Sequence, residues 1–388
     1  MLDLHQVLAD IGAVGGEAQR RYQKIADQLA TALRQARLSG DDWTAAKTKI
    51  DSPPEKASWL VASCSDESPA ASCPLPYAAP TNYTAIATDG SQIPLDRHAI
   101  AQCYLINVGE IVLHYGGMDR PRLSSQATLF YKDEDIYPKD DRGETIPLSE
   151  KMIANRRLLA ESAALAALIA ENHERHCVAL VDDPLIVYIF QGESDKEQDR
   201  VIAEFCQMLE AAQGCSTPVA GYVSRPAHRD VVGALRLSLC AEGCEHGLDA
   251  LCRELVGVTD AQLFSALLTQ PGERSPVFGS NSPVIKQYPD AQKISFFYFN
   301  TGGEIARVEI PAWVAENPDL LNRVHVLCFD QSAKGQGYPV ALSEAHERAV
   351  VRGPDREAFF HLLEQSLIRN NIPALQTRKA LAKRTRVL

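Results

Sequence analysis

The chain has 388 residues, 45% of them apolar and 23% charged, which is enough for one large or two medium domains around a sizeable core. Its formal net charge of −11 argues against a protein that coats nucleic acid non-specifically, because neutralising phosphates takes Lys and Arg; an enzyme with basic residues along one groove is not excluded. No run of 18 or more apolar residues is present, so no membrane span is expected, and the opening Met-Leu-Asp-Leu-His-Gln lacks the basic and apolar blocks of a secretory signal, so the chain reads as cytoplasmic.

Residues 5–37 read as a helix, since Ile25, Leu29 and Leu33 recur at helical spacing among charged neighbours; the glycines between Gly12 and Gly16 could break it in two. This N-terminal helical region, 1–50, is followed over 51–82 by a stretch rich in Ser, Pro and Ala, expected to be a linker or surface loop. From residue 83 the pattern turns to strands: Tyr83–Thr88, then Ala99–Asn107 and Glu110–Tyr115 joined by a tight hairpin at Val108-Gly109, then Ala127–Lys132. A long helix, Leu148–Glu174, comes next, with Ser149 as its N-cap. Strand Cys177–Val181, helix Lys196–Ala212, strand Val219–Val223 and a helical run from Asp230 follow. Helical segments near Asp249–Leu255 and Asp260–Leu268 precede a hairpin of strands Ile294–Asn300 and Glu304–Ile310 around Thr301-Gly302-Gly303. Helices near Leu320–Ser332, Val340–Val350 and Asp355–Asn370 close the ordered pattern. Hairpins first and crossover units later predict an α/β fold: an RNase H-like mixed sheet flanked by helices, with the N-terminal helix as an appendage open to a partner or a second subunit.

Ten cysteines are scattered along the chain, and Cys103, Cys177 and Cys328 fall in apolar runs, where a free thiol serves as a small core residue. The cluster Cys240-x3-Cys244-x-His246-x5-Cys252 has zinc-capable residue types but not the paired Cys-x2-Cys spacing, and reads as buried or incidental thiols. The tail, 371–388, carries five basic residues after Gln376 and no acidic one; it is either a solvated tail or a phosphate contact.

The acids that could carry chemistry stand at strand ends. Asp89 follows Thr84-Ala-Ile-Ala-Thr, and the pair Asp182-Asp183 follows Cys177-Val-Ala-Leu-Val. Carboxylates held at the ends of buried strands of an α/β fold are suited to binding a hard divalent cation, and phosphodiester cleavage uses such cations. Glu161 lies among Ala and Leu on the long helix, where an acid is costly unless it is metal-bound or paired with Arg157 at i,i+4. His346 falls on a later helix, two turns after Tyr338-Pro339, as a structural residue or as a fourth ligand or acid/base beside the carboxylates. There is no Gly-x4-Gly-Lys-Ser/Thr loop and no Gly-x-Ser-x-Gly elbow, so ATP hydrolysis by this chain and serine nucleophilic catalysis both lack their motifs.

In this order the pieces resemble the NurA nucleases, over about residues 83–370. The resemblance is carried by Ala87-Thr-Asp89-Gly90-Ser91-Gln92 with its extension to His98, by Tyr104 to Gly116, by Arg157-x3-Glu161, by Leu180-Val-Asp182-Asp183-Pro, and by Gly337-Tyr338-Pro339 with Ala345-His346. Asp183 departs from the family, which commonly has Gly there. The resemblance implies a metal-dependent deoxyribonuclease, a 5′–3′ exonuclease with scope for single-strand endonuclease cleavage, acting on DNA ends at double-strand breaks. It further implies that Asp89, Glu161, Asp182 and His346 bind manganese or magnesium as two ions, and that Tyr338 lines the site near the scissile phosphate. A homodimer docked on a HerA-type hexameric ATPase is the implied assembly. A catalytically degenerate DNA-binding adaptor for such an ATPase is the alternative, and an enzyme acting on RNA or hybrids is a third reading.

Overall fold

A computed structural model of the chain describes residues 7–37, 47–51, 60–63, 67–95, 101–140, 142–173, 175–187, 195–239 and 254–372. Its strands are β1 (Ala62–Ser63), β2 (Tyr83–Ile93), β3 (Tyr104–Tyr115), β4 (Arg122–Phe130), β5 (Cys177–Val181), β6 (Val219–Val223), β7 (Phe278–Ser280), β8 (Ile294–Asn300) and β9 (Ile305–Pro311). The longer helices are α1 (Leu8–Arg37), α2 (Glu150–Asn172), α3 (Asp195–Gly214), α4 (Asp230–Leu239), α5 (Asp260–Leu267), α6 (Pro318–Lys334), α7 (Val340–Ala349) and α8 (Gly353–Arg369). The chain divides into two compact units, each assembled from separate stretches: Met1–Pro80, Asp183–Val187 and Pro218–Pro339 in one, and Thr81–Asp182, Tyr188–Thr217 and Val340–Leu388 in the other.

The second unit is organised around β2. This strand pairs antiparallel with β3 over its whole length, from Tyr83↔Tyr115 to Ile93↔Leu105, and parallel with β5 from Thr84↔Cys177 to Thr88↔Val181. β4 lies antiparallel on the far side of β3. Three antiparallel strands and a parallel fourth reached through the crossover helix α2 form the expected RNase H-like mixed arrangement. Tyr83–Thr88 is buried at every position, which a strand achieves only when helices cover both of its faces. The alternation of the strand separates those faces: Thr88 and Gly90 meet α2, while Asp89 and Ser91 meet α7. α2 starts where its cap predicts, with the Ser149 hydroxyl accepting from Met152 N at 3.0 Å, and it buries Ile153, Leu165, Leu168 and Ile169.

In the first unit, β8 and β9 form the expected hairpin, with β7 and then β1 outside β8 and with β6 beside β9. The aromatic side chains of Phe264, Phe278, Phe296 and Tyr298 stack into its core. Ala32 and Ala36 of α1 are buried in that core, while Ile11, Val14 and Tyr22 nearer its start are exposed.

Several sequence expectations need correction. α1 is continuous through Gly12, Gly15 and Gly16, because α-helical dihedrals are open to glycine at a cost of about 1 kcal/mol each, and its C-terminal half is anchored by packing. Val108-Gly109 is no hairpin: β3 runs straight through it, and Gly109 serves a helix contact described below. β2 does not stop at Thr88 but continues to Ile93, since β3 goes on supplying hydrogen bonds where β5 ends. β4 begins at Arg122 rather than Ala127, its first half disguised by the polar Ser124-Ser125-Gln126 of an exposed strand. The Ser/Pro-rich stretch contributes β1, with Val61 and Ala62 buried, and a bridge from Cys73 to Arg274. The cluster at Cys240, Cys244, His246 and Cys252, most of the helix expected near Asp249–Leu255, and the basic tail lie outside the described residues. Cys103, Cys177 and Cys328 are buried as free thiols, and burial pushes Cys328 up to about 12. No helix among the described residues is long and apolar enough to cross a membrane.

Candidate metal centre

Asp89 and Asp182 each come one residue after the last matched pair of the parallel ladder, Thr88↔Val181. They therefore stand at the same level, about 5 Å apart in backbone spacing, Asp182 just past the end of β5 and Asp89 inside β2, which runs on to Ile93. Asp89 is partly covered and is fixed by its own turn of backbone, with Gly90 N donating to Oδ1 at 2.7 Å. Its other oxygen, Oδ2, lies 3.0 Å from Nδ1 of His346, which is largely exposed on α7. Asp182 is half-buried, and Asp183 beside it is exposed.

Glu161 reaches the same level from the other face of β2. Thr88 Oγ1 donates to its main-chain carbonyl at 3.2 Å, locking this turn of α2 onto the strand. Its carboxylate lies over Gly90 so closely that a Cβ there would stand 2.2 Å from Oε1, which explains the glycine after Asp89. Arg157, one helical turn earlier, brings Nε to 3.4 Å from Glu161 Oε1 and donates from its guanidinium to Gly90 O at 2.9 Å. Of the two readings of Glu161 made from the sequence, the pairing with Arg157 at i,i+4 is the one seen; its carboxylate lies over Gly90, on the face of β2 opposite Asp89.

α7 carries His346 across the Asp89 face. Gly109 is the Cα partner of Asp89 across β2 and β3, and a Cβ there would come 2.5 Å from Ala345 O and 2.7 Å from Ala349 N. Only a residue without a side chain lets the helix backbone lie this close to the strand. Sequence reasoning missed Gly109, together with Ser91 and Asn107, which hold the end of α7. Their sole signal was a small or polar residue inside a strand, which also marks turns.

Tyr338 belongs to the other unit. There it is half-buried, preceded by Gln336 and Gly337, both at positive φ, and packs edge-on against Tyr222 with ring centroids 5.5 Å apart.

As the side chains stand, no three His, Cys, Asp or Glu residues among the described ones form a group that could hold a metal ion. Asp89 faces His346, and Glu161 faces Arg157. In kind, however, the donors fit manganese or magnesium: carboxylate oxygens and one imidazole, borne on rigid elements, with Gly90 leaving room for the Glu161 carboxylate.

A profile of the NurA domain matches residues 83–351. A solved structure of NurA with manganese is similar at 12% identity, covering 92% of this chain and all of that one, with a TM-score of 0.43. One of NurA bound to dAMP and manganese covers 80% of this chain and 92% of that one, at 12% identity and a TM-score of 0.39. The catalytic domain of human Endonuclease V covers 83% of this chain and 96% of that one, at 11% identity and a TM-score of 0.30. No curated protein sequence matches.

Proposed function

The chain belongs to the NurA family, whose domain takes up residues 83–351, and from that premise we propose that it is a metal-dependent nuclease that processes DNA ends. One observation carries the reading: Asp89 on β2 and Asp182 just past β5 follow the same last pair of adjacent parallel strands, with His346 hydrogen-bonded to the first of them. Asp89, Asp182 and His346, joined by Glu161 across Gly90, would hold manganese or magnesium. Two such ions, when bound, supply an activated water and charge stabilisation for the leaving 3′ oxygen. The protein's own part is to present the carboxylates in fixed directions. The Gly90 amide aims Asp89, the Thr88 hydroxyl ties down the turn bearing Glu161, and Arg157 pairs with Glu161. His346 can pass or hold a proton at Nδ1 against Asp89 Oδ2.

The setting we propose is resection at double-strand breaks, with 5′–3′ exonuclease action, a homodimeric assembly and a HerA-type hexameric ATPase that feeds the DNA. The test is incubation of labelled linear DNA with the purified chain and manganese, beside Asp89→Ala and Asp182→Ala. Shortened DNA with the wild type alone is the expected result. Intact DNA from a wild-type chain that still binds a HerA-type ATPase would make it an adaptor, and equal cleavage by the variants would remove these residues from the site.

A further inference from the structure

The last turn of α7 ends on two strand side chains rather than in solvent. A helix leaves its final carbonyls without partners inside the helix, and they must find donors elsewhere. Here Asn107 Nδ2 donates to Ala349 O at 2.7 Å and to Arg348 O at 3.1 Å, and the Ser91 hydroxyl donates to Ala349 O. Ser91 and Asn107 are Cα partners across β2 and β3, so the two donors stand side by side. Two residues back along β2 and two forward along antiparallel β3 is the next pair facing the same way, Asp89 and Gly109. The helix crosses both pairs: its carbonyl end sits on Ser91 and Asn107, its backbone lies against Gly109, and His346, one turn before the end, meets Asp89 at 3.0 Å.

We propose that Ser91 and Asn107 are positioning residues: by holding the carbonyl end of α7 they fix the His346 imidazole over Asp89 and set how tightly the two can share a divalent cation. The inference rests on the metallonuclease reading only for its second half. A side chain on an unanchored last turn frays with it, because the bonds there are few and exposed. Asn107 Nδ2, which carries two hydrogens, donates to two successive carbonyls, a geometry that resists rotation of the helix about its axis. Serine at 91 adds a hydroxyl to the same oxygen from the neighbouring strand. Groups that orient a metal ligand without touching the metal typically change affinity by about 10- to 100-fold when removed.

The experiment uses the full-length chain with 15N-labelled histidine. Without metal, the His346 ring resonances, assigned by their loss in His346→Ala, report the hydrogen bond to Asp89. In Asn107→Ala and Ser91→Ala they should move to the positions of a freely rotating imidazole, and Ser91→Thr, which keeps the hydroxyl, should restore them. In parallel, free manganese is followed by electron paramagnetic resonance. Asn107→Ala should weaken binding about tenfold, and should cause no further loss in the His346→Ala background, since coupled residues are non-additive. Circular dichroism confirms that each variant is folded. Unchanged His346 resonances in a folded Asn107→Ala chain overturn the inference, as does the same affinity loss with and without His346. If the wild type binds no manganese while the resonances depend on Asn107, the metal reading falls and the positioning role stands.

Discussion

Two clusters of carboxylates, one in each unit, are built on opposite principles. In the first unit Arg307, on β9 and fully buried, donates to Glu309 Oε1 at 2.9 Å and to Asp230 at 2.5 Å, with its guanidinium stacked 3.6 Å over the Phe296 ring. Asp260, equally buried, accepts from Tyr298 OH at 2.8 Å and from the first amides of α4, Val231 N at 3.1 Å and Val232 N at 2.8 Å. Every acid there is answered by the protein's own cation, hydroxyl or helix amide. In the second unit Asp89 faces an exposed imidazole, and Asp182 ends its strand half-buried beside the exposed Asp183. An acid with a complete set of internal partners stabilises the fold, whereas the site proposed on the second unit would draw its cation from outside.

The largest effect that could break this contrast is chemical. Asp89→Ala or Asp182→Ala should lower DNA hydrolysis on the order of a thousandfold with the thermal midpoint unchanged; a variant that instead unfolds would place these acids with the structural cluster. Conversely, Arg307→Met strands Asp230 and Glu309 in the core, and should cost about 3–5 kcal/mol in urea unfolding. A loss within about 0.5 kcal/mol would mean that the buried cluster holds nothing together.

Glycine substitutions sharpen the contrast within the second unit itself. At Gly109 a Cβ meets backbone, Ala345 O at 2.5 Å and Ala349 N at 2.7 Å, so Gly109→Ala should destabilise by about 1–3 kcal/mol. At Gly90 the added Cβ meets side-chain atoms only, the Glu161 carboxylate and Arg157 Cγ at 2.9 Å, which can shift where a backbone cannot. Gly90→Ala should therefore leave urea unfolding nearly unchanged while weakening manganese binding, measured by titration. Equal stability losses for the two would contradict the placement of Glu161.

The smallest effect concerns pH. Burial, aided by Arg307, lowers His228 from 6.5 to about 4, and burial beside Arg274 does the same to His325. Both are neutral in the folded chain and protonate more readily once unfolded, so they make stability rise with pH between about 4 and 6.5. Asp260 opposes them: burial and the charge of Asp230 push it up to about 7 from 3.8, so the folded chain holds its proton and stability falls across that window. Asp260→Asn should steepen the rise in unfolding free energy from pH 4 to 6.5, and His228→Gln should flatten it. A slope unchanged by either would deny that these groups are buried as described.

Much of this was legible in the chain itself. The cap at Ser149, the β8–β9 hairpin and the strand-end position of Asp182 follow from apolar runs, turn residues and capping chemistry, all of which act within a few residues; Asp89, expected at a strand end, stands inside β2 because β3 goes on pairing with it. The short strands β1 and β7 escaped because two or three residues show no period. Gly109 was misread because a glycine inside a strand looks the same whether the chain turns there or a helix passes over it.

What the sequence determined alone was the kinds of element, their order and the donor types at the strand ends, since period, capping and side-chain chemistry are local properties. Tertiary structure decided which acids found their partners inside the core. Asp230, Asp260 and Glu309 read like any other acids until β9 brought Arg307 among them. Asp89 gained its imidazole from a residue 257 positions away only because two glycines and a serine–asparagine pair let helices settle against both faces of one strand. Burial and long-range proximity fix whether a carboxylate is neutralised from within, and neither is written in its neighbours along the chain.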